Sequence, residues 1–203
     1  MKLSRTASLL ILSLCAGCGS RTVTESSAPP TTAFAAEPAK PAAKADAAKP
    51  VAAELADWKK TQAIIAKHKG KIVVLDFWST WCEPCVKEFP GLVDVQKNHA
   101  DDVVCISLNC NYIGSGSPDD EKADIVSFLT KQKAAGVTNL ICSEADDNLY
   151  KKVGIASVPV TQVYGRDGKL AKQFDNSKEE YGKEGFTYKQ HIAPYVKQLA
   201  AER

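Results

Sequence analysis

A seven-residue run at positions 72–78, Ile-Val-Val-Leu-Asp-Phe-Trp, constrains the fold of this chain more than any other feature. Apart from Asp76 the run is apolar, and it shows no alternation with polar residues. This pattern predicts a β-strand covered on both faces, as in layered α/β folds. The motif Cys-Glu-Pro-Cys at 82–85 follows, and a helix is predicted to begin there and to continue to about position 98.

The remaining apolar segments complete an α/β arrangement. Their spacing predicts helices over 55–69, 120–135, 147–153 and 188–201. It also predicts strands over 103–108 and 140–142, and a hairpin of 158–164 and 169–174. The order βαβαβα followed by ββα implies a mostly parallel sheet that ends in an antiparallel hairpin.

The first 17 residues have the pattern of an export signal. Lys2 and Arg5 precede an apolar run at 7–14, which is too short to span a bilayer. The stretch that ends at Cys18 resembles a bacterial lipoprotein cleavage site, which implies lipidation of Cys18; cleavage by an ordinary signal peptidase is the alternative. Residues 18–50 are rich in Ala, Pro and Lys and are predicted to be a disordered linker to a domain over 51–203.

Charge and cysteine content narrow the class of function. The chain has 26 basic and 24 acidic residues, for a net charge of +2. This balance argues against nucleic acid as a partner. Seven cysteines are many for a cytosolic enzyme, but they are too few and too spread out for a small disulfide-stapled domain. The cysteines therefore point to redox or metal chemistry.

Cys82 and Cys85 are the candidate redox pair. Cys82 lies where the helix is predicted to begin, a position that favours the reactive thiolate. Cys85 lies within one turn, where it can form a disulfide and resolve a mixed disulfide, so no other cofactor is needed. A static disulfide or half of a zinc site are the alternatives. Zinc would need a second Cys or His pair, which the sequence does not offer, and no metal ligand is predicted.

The segment from Val74 to Cys85 resembles the active-site segment of thioredoxins. The stretch from Trp81 to Pro90 is similar to the membrane-anchored TlpA/ResA branch, and the similarity covers roughly 53–201. The resemblance implies a thioredoxin fold with the helix–strand insertion of that branch over about 120–142. It also implies reduction of protein disulfides outside the cytoplasm, often in cytochrome c maturation.

Asp76 is the candidate proton acceptor. A carboxylate in an apolar strand is costly unless its ionisation is suppressed or compensated. The thioredoxin resemblance implies a raised pKa and proton exchange with Cys85. An aspartate that reaches solvent at the strand end is the alternative.

The residues around the couple are predicted to contact substrate. Trp81 is expected to shield the disulfide and to form part of the docking surface, together with Pro84. Glu83 is expected to disfavour a neighbouring thiolate and so to make the couple more reducing. The resemblance further implies a cis peptide between Val158 and Pro159, packed beside the disulfide; without it, a trans proline that opens an edge strand would be expected.

Three further cysteines have no partner in the sequence pattern. Cys105 and Cys142 lie in predicted core strands and are expected to be buried apolar residues. Cys110 lies in a polar loop, where it could be a second reactive thiol or an inert free cysteine.

The function expected from the sequence is that of a monomeric, lipid-anchored oxidoreductase on the periplasmic side of a bacterial membrane. Its partners would be oxidised protein substrates and a membrane protein that donates electrons. An oxidant or isomerase is the alternative within the same chemistry. A Cu(I) carrier is the alternative from another class, although Met1 is the only methionine and no histidine flanks the couple.

Overall fold

The computed structural model describes residues 50–202. The predicted export signal, Cys18 and nearly all of the predicted linker lie outside the described residues.

The strands are β1 Glu54–Ala56, β2 Ile72–Trp78, β3 Val103–Asn109, β4 Thr138–Cys142, β5 Val160–Tyr164 and β6 Leu170–Asp175. The helices are α1 Trp58–Lys67, α2 Glu83–Asn98, α3 Lys122–Lys131, α4 Asp146–Val153 and α5 Ala193–Ala201. Within residues 50–202, no helix is both long and apolar enough to cross a membrane.

The strands form one mixed sheet in the order β1-β4-β3-β2-β5-β6. The pairs β1·β4, β4·β3 and β3·β2 are parallel, whereas β2·β5 and β5·β6 are antiparallel. This topology confirms the predicted α/β class and the parallel sheet that ends in a hairpin. The predicted β2 matches its observed bounds, and all seven of its residues are buried. Helices cover both faces of the sheet and exclude water from this central strand. Apart from Asp76, its side chains are therefore apolar on both faces and do not alternate between apolar and polar.

Side chains of β2 alternate between two cores, one on each face of the sheet. Ile72, Val74 and Trp78 contact the core that includes residues of α2, α3 and α5. Val73 and Phe77 contact the core that includes residues of α1 and α4. Because strand side chains alternate with a period of two, position 76 faces the same side as positions 72, 74 and 78. The candidate proton acceptor therefore points toward the face that α2 covers.

The N-terminal helix prediction was wrong at its start. Leu55 belongs to β1, where it pairs with Ile141 of β4, and α1 begins only at Trp58. The Asp57 side chain caps α1 by accepting a hydrogen bond from the Lys60 N–H at 2.7 Å. Pairing with a distant strand outweighs the helical spacing of the apolar residues here.

Other boundaries also differ from the prediction. The third helix ends at Lys131, before a 3₁₀ turn at Ala134–Gly136. The C-terminal helix starts with a π-helical turn, Tyr188–Ile192, before α5. β5 begins at Val160, so the predicted cis peptide precedes the strand rather than opening it. The helix α3 and strand β4 occupy the region of the predicted insertion; its assignment to the TlpA/ResA branch stays a prediction.

Candidate active site

Cys82 and Cys85 form a disulfide at the N-terminus of α2, with their Cα atoms 5.2 Å apart. Cys82 is the N-cap residue, and its sulfur accepts a hydrogen bond from the Cys85 N–H at 3.3 Å. Pro84 occupies the first turn, where its missing N–H and fixed φ suit a helix start. The unpaired N–H groups of this turn and the helix dipole favour negative charge on the Cys82 sulfur once the disulfide is reduced.

Asp76 lies beneath this end of α2 and is 4% exposed. Its Oδ1 atom accepts hydrogen bonds from Thr161 Oγ1 at 2.7 Å and from Tyr188 Oη at 2.9 Å. Burial raises the pKa of the Asp76 carboxyl to about 7, because desolvation outweighs the two hydrogen bonds, which favour the ionised form. The predicted alternative, an aspartate that reaches solvent at the strand end, is therefore wrong. Asp76 can gain or lose a proton near neutral pH.

Glu88 and Tyr188 belong to the site although the sequence analysis did not single them out. Glu88 lies one turn after Cys85 on α2, and its charge contributes to the raised pKa of Asp76. Glu88 Oε2 accepts a hydrogen bond from the Tyr188 N–H at 2.9 Å. The i, i+3 spacing of Cys85 and Glu88 could have indicated a shared helix face. Tyr188 gave no such signal, because it lies 112 residues from Asp76 in the chain.

A cavity of about 240 Å³ opens beside the disulfide. It brings together five residues that the sequence singled out. These are Asp76, Glu83, Pro84, Cys85 and Pro159. Other lining residues come from the segment that leads to α5, and they include Lys183, Phe186 and Tyr188. The cavity thus connects the inner cysteine with the buried carboxyl.

The predicted substrate-contact residues occupy different places around the couple. The Val158–Pro159 peptide is cis, as predicted. Pro159 borders the cavity, whereas Val158 is half-buried and packs against the apolar core residues. Trp81 is 59% exposed, which contradicts the alternative of a partly buried aromatic. Glu83 is exposed at the start of α2.

Within residues 50–202, the three cysteines outside the couple are buried and free. Burial raises the pKa of the Cys105 and Cys110 thiols, and it raises that of Cys142 to about 11. Of the two alternatives for Cys110, the inert free cysteine is the one that fits, because its side chain is fully buried in the core beside α4. Thiols in such surroundings stay protonated and react slowly. Among residues 50–202, no three His, Cys, Asp or Glu side chains are grouped closely enough to hold a metal ion.

The chain is similar in sequence to a known protein family and to individual thiol-disulfide oxidoreductases. Residues 45–193 match the model of the AhpC/TSA family. The chain is 30% identical to the thiol-disulfide oxidoreductase ResA of Bacillus subtilis over 105 residues, which cover 51% of this chain and 52% of ResA. It is 25% identical to ResA of Geobacillus thermodenitrificans over 121 residues, which cover 58% of this chain and 62% of that protein. The chain thus spans about half to two thirds of the length of these two relatives.

Two solved structures share the fold. One is a secreted Mycobacterium tuberculosis disulfide oxidoreductase homologous to E. coli DsbE, with a TM-score of 0.50 and 20% identity over 66% of this chain and 86% of that one. The other is a thioredoxin-like protein in its oxidised form, with a TM-score of 0.51 and 16% identity over 65% of this chain and 79% of that one. With the mixed sheet, the family match leads to one conclusion: this chain is a member of the AhpC/TSA family, with a thioredoxin-like fold.

Proposed function

We propose that the chain is a thiol–disulfide oxidoreductase that reduces disulfides in exported proteins through Cys82 and Cys85. The observation that carries this proposal is the disulfide at the N-terminus of α2, with the inner cysteine facing the same cavity as a buried carboxyl. A structural disulfide would need neither feature. The similarity to the thiol-disulfide oxidoreductase ResA supports the same chemistry.

The first step is attack by Cys82. In the reduced form, the Cys82 thiolate attacks one sulfur of a substrate disulfide, and the second substrate sulfur leaves as a thiolate. The Cys85 N–H that donates to the Cys82 sulfur is already in place for this charge. Both cysteines are buried in the oxidised form, so the position of Cys82 at the helix N-terminus is what distinguishes the attacking sulfur.

The second step is resolution by Cys85. Asp76 accepts the proton of the Cys85 thiol, and the resulting thiolate attacks the Cys82 sulfur of the mixed disulfide. The Cys82–Cys85 disulfide forms and the remaining substrate sulfur leaves as a thiolate, so two electrons pass to the substrate. A base whose pKa is about 7 can both accept and release this proton near neutral pH. A dithiol donor in the membrane then regenerates the couple.

The substrate is an extended polypeptide segment that carries a disulfide. Trp81 offers an exposed aromatic surface directly before the couple. Pro84 and Pro159 border the cavity from α2 and from the approach to β5. These residues, with Glu83 and Val158, are the proposed substrate contacts.

We propose an extracytoplasmic location, on the periplasmic side of a bacterial membrane. The support is the export-signal pattern, with Cys18 as the proposed lipid anchor and 18–50 as the linker to the catalytic domain. The protein would act there as a monomer, and cytochrome c maturation is one process that needs such a reductant.

Two other functions use the same sulfurs. An oxidant would run the exchange in the opposite direction, and the reduction potential distinguishes it from a reductant. An isomerase would rearrange substrate disulfides with no net transfer of electrons. A Cu(I) carrier would use the two thiolates as soft ligands. The described part of the chain offers no third ligand grouped with them, and a copper carrier would make no use of the raised pKa of Asp76.

The decisive experiment is disulfide exchange with the full-length protein. The reduced form should reduce one disulfide of a model exported protein per couple, and Cys82→Ser should abolish this transfer. Cys105→Ala, which removes a buried thiol outside the couple, is the matched control and should retain it. Oxidation of a reduced substrate instead would favour the oxidant. Tight one-to-one Cu(I) binding with no exchange would favour the copper carrier.

A further inference from the structure

The two oxygens of the Asp76 carboxylate have different surroundings. Oδ1 accepts both hydrogen bonds, from Thr161 and from Tyr188. None of the described side chains donates a hydrogen bond to Oδ2. Asp76 also lines the cavity that Cys85 borders. Oδ2 is therefore the oxygen that remains available for a proton.

Tyr188 is fixed by a main-chain hydrogen bond, by burial of its side chain and by close packing on α2. Its main-chain N–H donates to Glu88 Oε2 at 2.9 Å, and its side chain is 3% exposed. Its ring packs directly over Gly91 of α2. Tyr188 is also the first residue of a π-helical turn, a rare element that is frequent at functional sites.

We propose that Tyr188 is a positioning residue, whose hydroxyl holds Oδ1 so that Oδ2 exchanges the proton with Cys85. This inference rests on the proposed function, since it takes Asp76 as the acceptor of that proton. In the resolving step the Cys85 S–H bond breaks and the proton passes to Oδ2. The sulfur electron pair forms the bond to Cys82, and the substrate sulfur leaves with the electrons of the broken S–S bond.

Tyr188 is suited to this task because it stays a donor. Burial and the charge of Asp76 raise the pKa of its hydroxyl, so the group remains protonated over the pH range in which Asp76 titrates. Ionisable groups also face Asp76 from the other elements around it. These are Cys85 and Glu88 on α2, Cys105 on β3, and Glu83, Lys87, Lys183 and Glu184 around the cavity. Among the described residues, only Thr161 and Tyr188 donate a side-chain hydrogen bond to the carboxylate.

Removal of the Tyr188 hydroxyl tests the contact directly. Tyr188→Phe removes one hydrogen bond that favours ionised Asp76, so the carboxyl should titrate about one pH unit higher. The measurement is a ¹³C NMR titration of the aspartate carboxyls in the full-length oxidised protein, with Asp76→Asn to assign the signal. Tyr195→Phe is the matched control, because it removes a tyrosine hydroxyl of the same C-terminal region that makes no contact with Asp76. It should leave the midpoint unchanged.

The same variants test the effect on the reaction. The rate of mixed-disulfide resolution, measured in single turnover from pH 5 to 9, should shift its midpoint upward with the Asp76 titration. At pH 7 a shift of one unit leaves about fivefold less ionised Asp76, so resolution should slow about fivefold. Thr161→Val removes the other donor and should shift the midpoint in the same direction. It provides an independent test if Tyr188→Phe lowers the yield of folded protein.

The possible results distinguish failure of the positioning role of Tyr188 from failure of the proposed oxidoreductase function. An Asp76 midpoint that is unchanged in a folded Tyr188→Phe variant would overturn the positioning role. A shifted midpoint with an unshifted rate profile would overturn its part in the reaction. If the wild-type protein resolves no mixed disulfide while the NMR shift is observed, the proposed function fails, and the proton transfer assigned to Oδ2 fails with it.

Discussion

Gly91 of α2 lies directly beneath the side chain of Tyr188, so closely that a Cβ atom at position 91 would overlap the tyrosine Cβ and Cγ atoms. Alanine in a helix interior is ordinarily more favourable than glycine by about 0.5–1 kcal/mol. Here the steric cost of the overlap should exceed the gain in helix propensity. Gly91→Ala should therefore lower the free energy of unfolding by about 1–3 kcal/mol, measured by urea unfolding. Gly136→Ala is the control, because a Cβ there meets Gln96 at an ordinary 3.5 Å. Equal stabilities of the two variants would show that the Tyr188 contact is not tight.

Stability should depend on pH through Asp76. Its pKa in the folded protein, about 7, lies above the ordinary aspartate value of 3.8, so the folded state binds the proton more tightly than the unfolded state. Stability is therefore lost as pH rises from about 4 to 7, by an amount of order 4 kcal/mol at most. Asp76→Asn removes this dependence. Relative to wild type, it should be more stabilising at pH 8 than at pH 4 in urea unfolding of the oxidised protein, and an equal difference at both pH values would contradict the raised pKa.

The order of attack predicts which variant traps substrate. Cys85→Ser leaves the Cys82 thiol intact but removes the resolving thiol, so substrate proteins should accumulate as mixed disulfides that a reductant releases. Cys82→Ser should trap none. Both variants are expressed in the native compartment and compared on non-reducing gels, with mass spectrometry of the shifted bands. Trapping by Cys82→Ser would reverse the proposed roles.

Glu83 should make the couple more reducing. Its exposed carboxylate lies between the two cysteines at the start of α2 and disfavours a neighbouring thiolate. The potential of the wild-type couple should lie well below the value of about −120 mV that strongly oxidising periplasmic proteins reach. Glu83→Gln should raise it by about 10–20 mV, an exposed-charge effect that glutathione equilibration can measure. Asp94→Asn, at an exposed position further along α2, should leave it unchanged. A wild-type potential near −120 mV would support the oxidant.

Lipidation at Cys18 predicts how the exported protein partitions. Cys18→Ala should move the protein from the membrane fraction to the soluble fraction, because the acyl chains would no longer hold it at the surface. Fractionation with an immunoblot is the measurement. Wild-type protein that is already soluble after export would contradict the anchor.

The sequence was sufficient for features that depend on local pattern. The apolar run of β2 and the position of Cys82 at a helix start both follow from neighbouring residues. β1 did not, because three residues give no detectable periodicity and its pairing is with a strand more than 80 positions away. The sequence left Cys110 open as reactive or inert, because its polar neighbours Asn109 and Asn111 give no sign of burial. In the fold, these two side chains hydrogen-bond each other at 2.9 Å, which allows a polar stretch to be buried.

The two-sided core also determines which thiols of the folded protein an oxidant can reach. Cys110 and Cys142 lie in the core beside α1 and α4, on the opposite face of the sheet from the disulfide. Cys105 is a residue of β3 and is fully buried in the core on the disulfide's face, so none of these three thiols is accessible. In an unfolded chain all five cysteines between 82 and 142 could pair wrongly. In the proposed oxidising compartment, variants that fold slowly should therefore be lost mainly to scrambled disulfides.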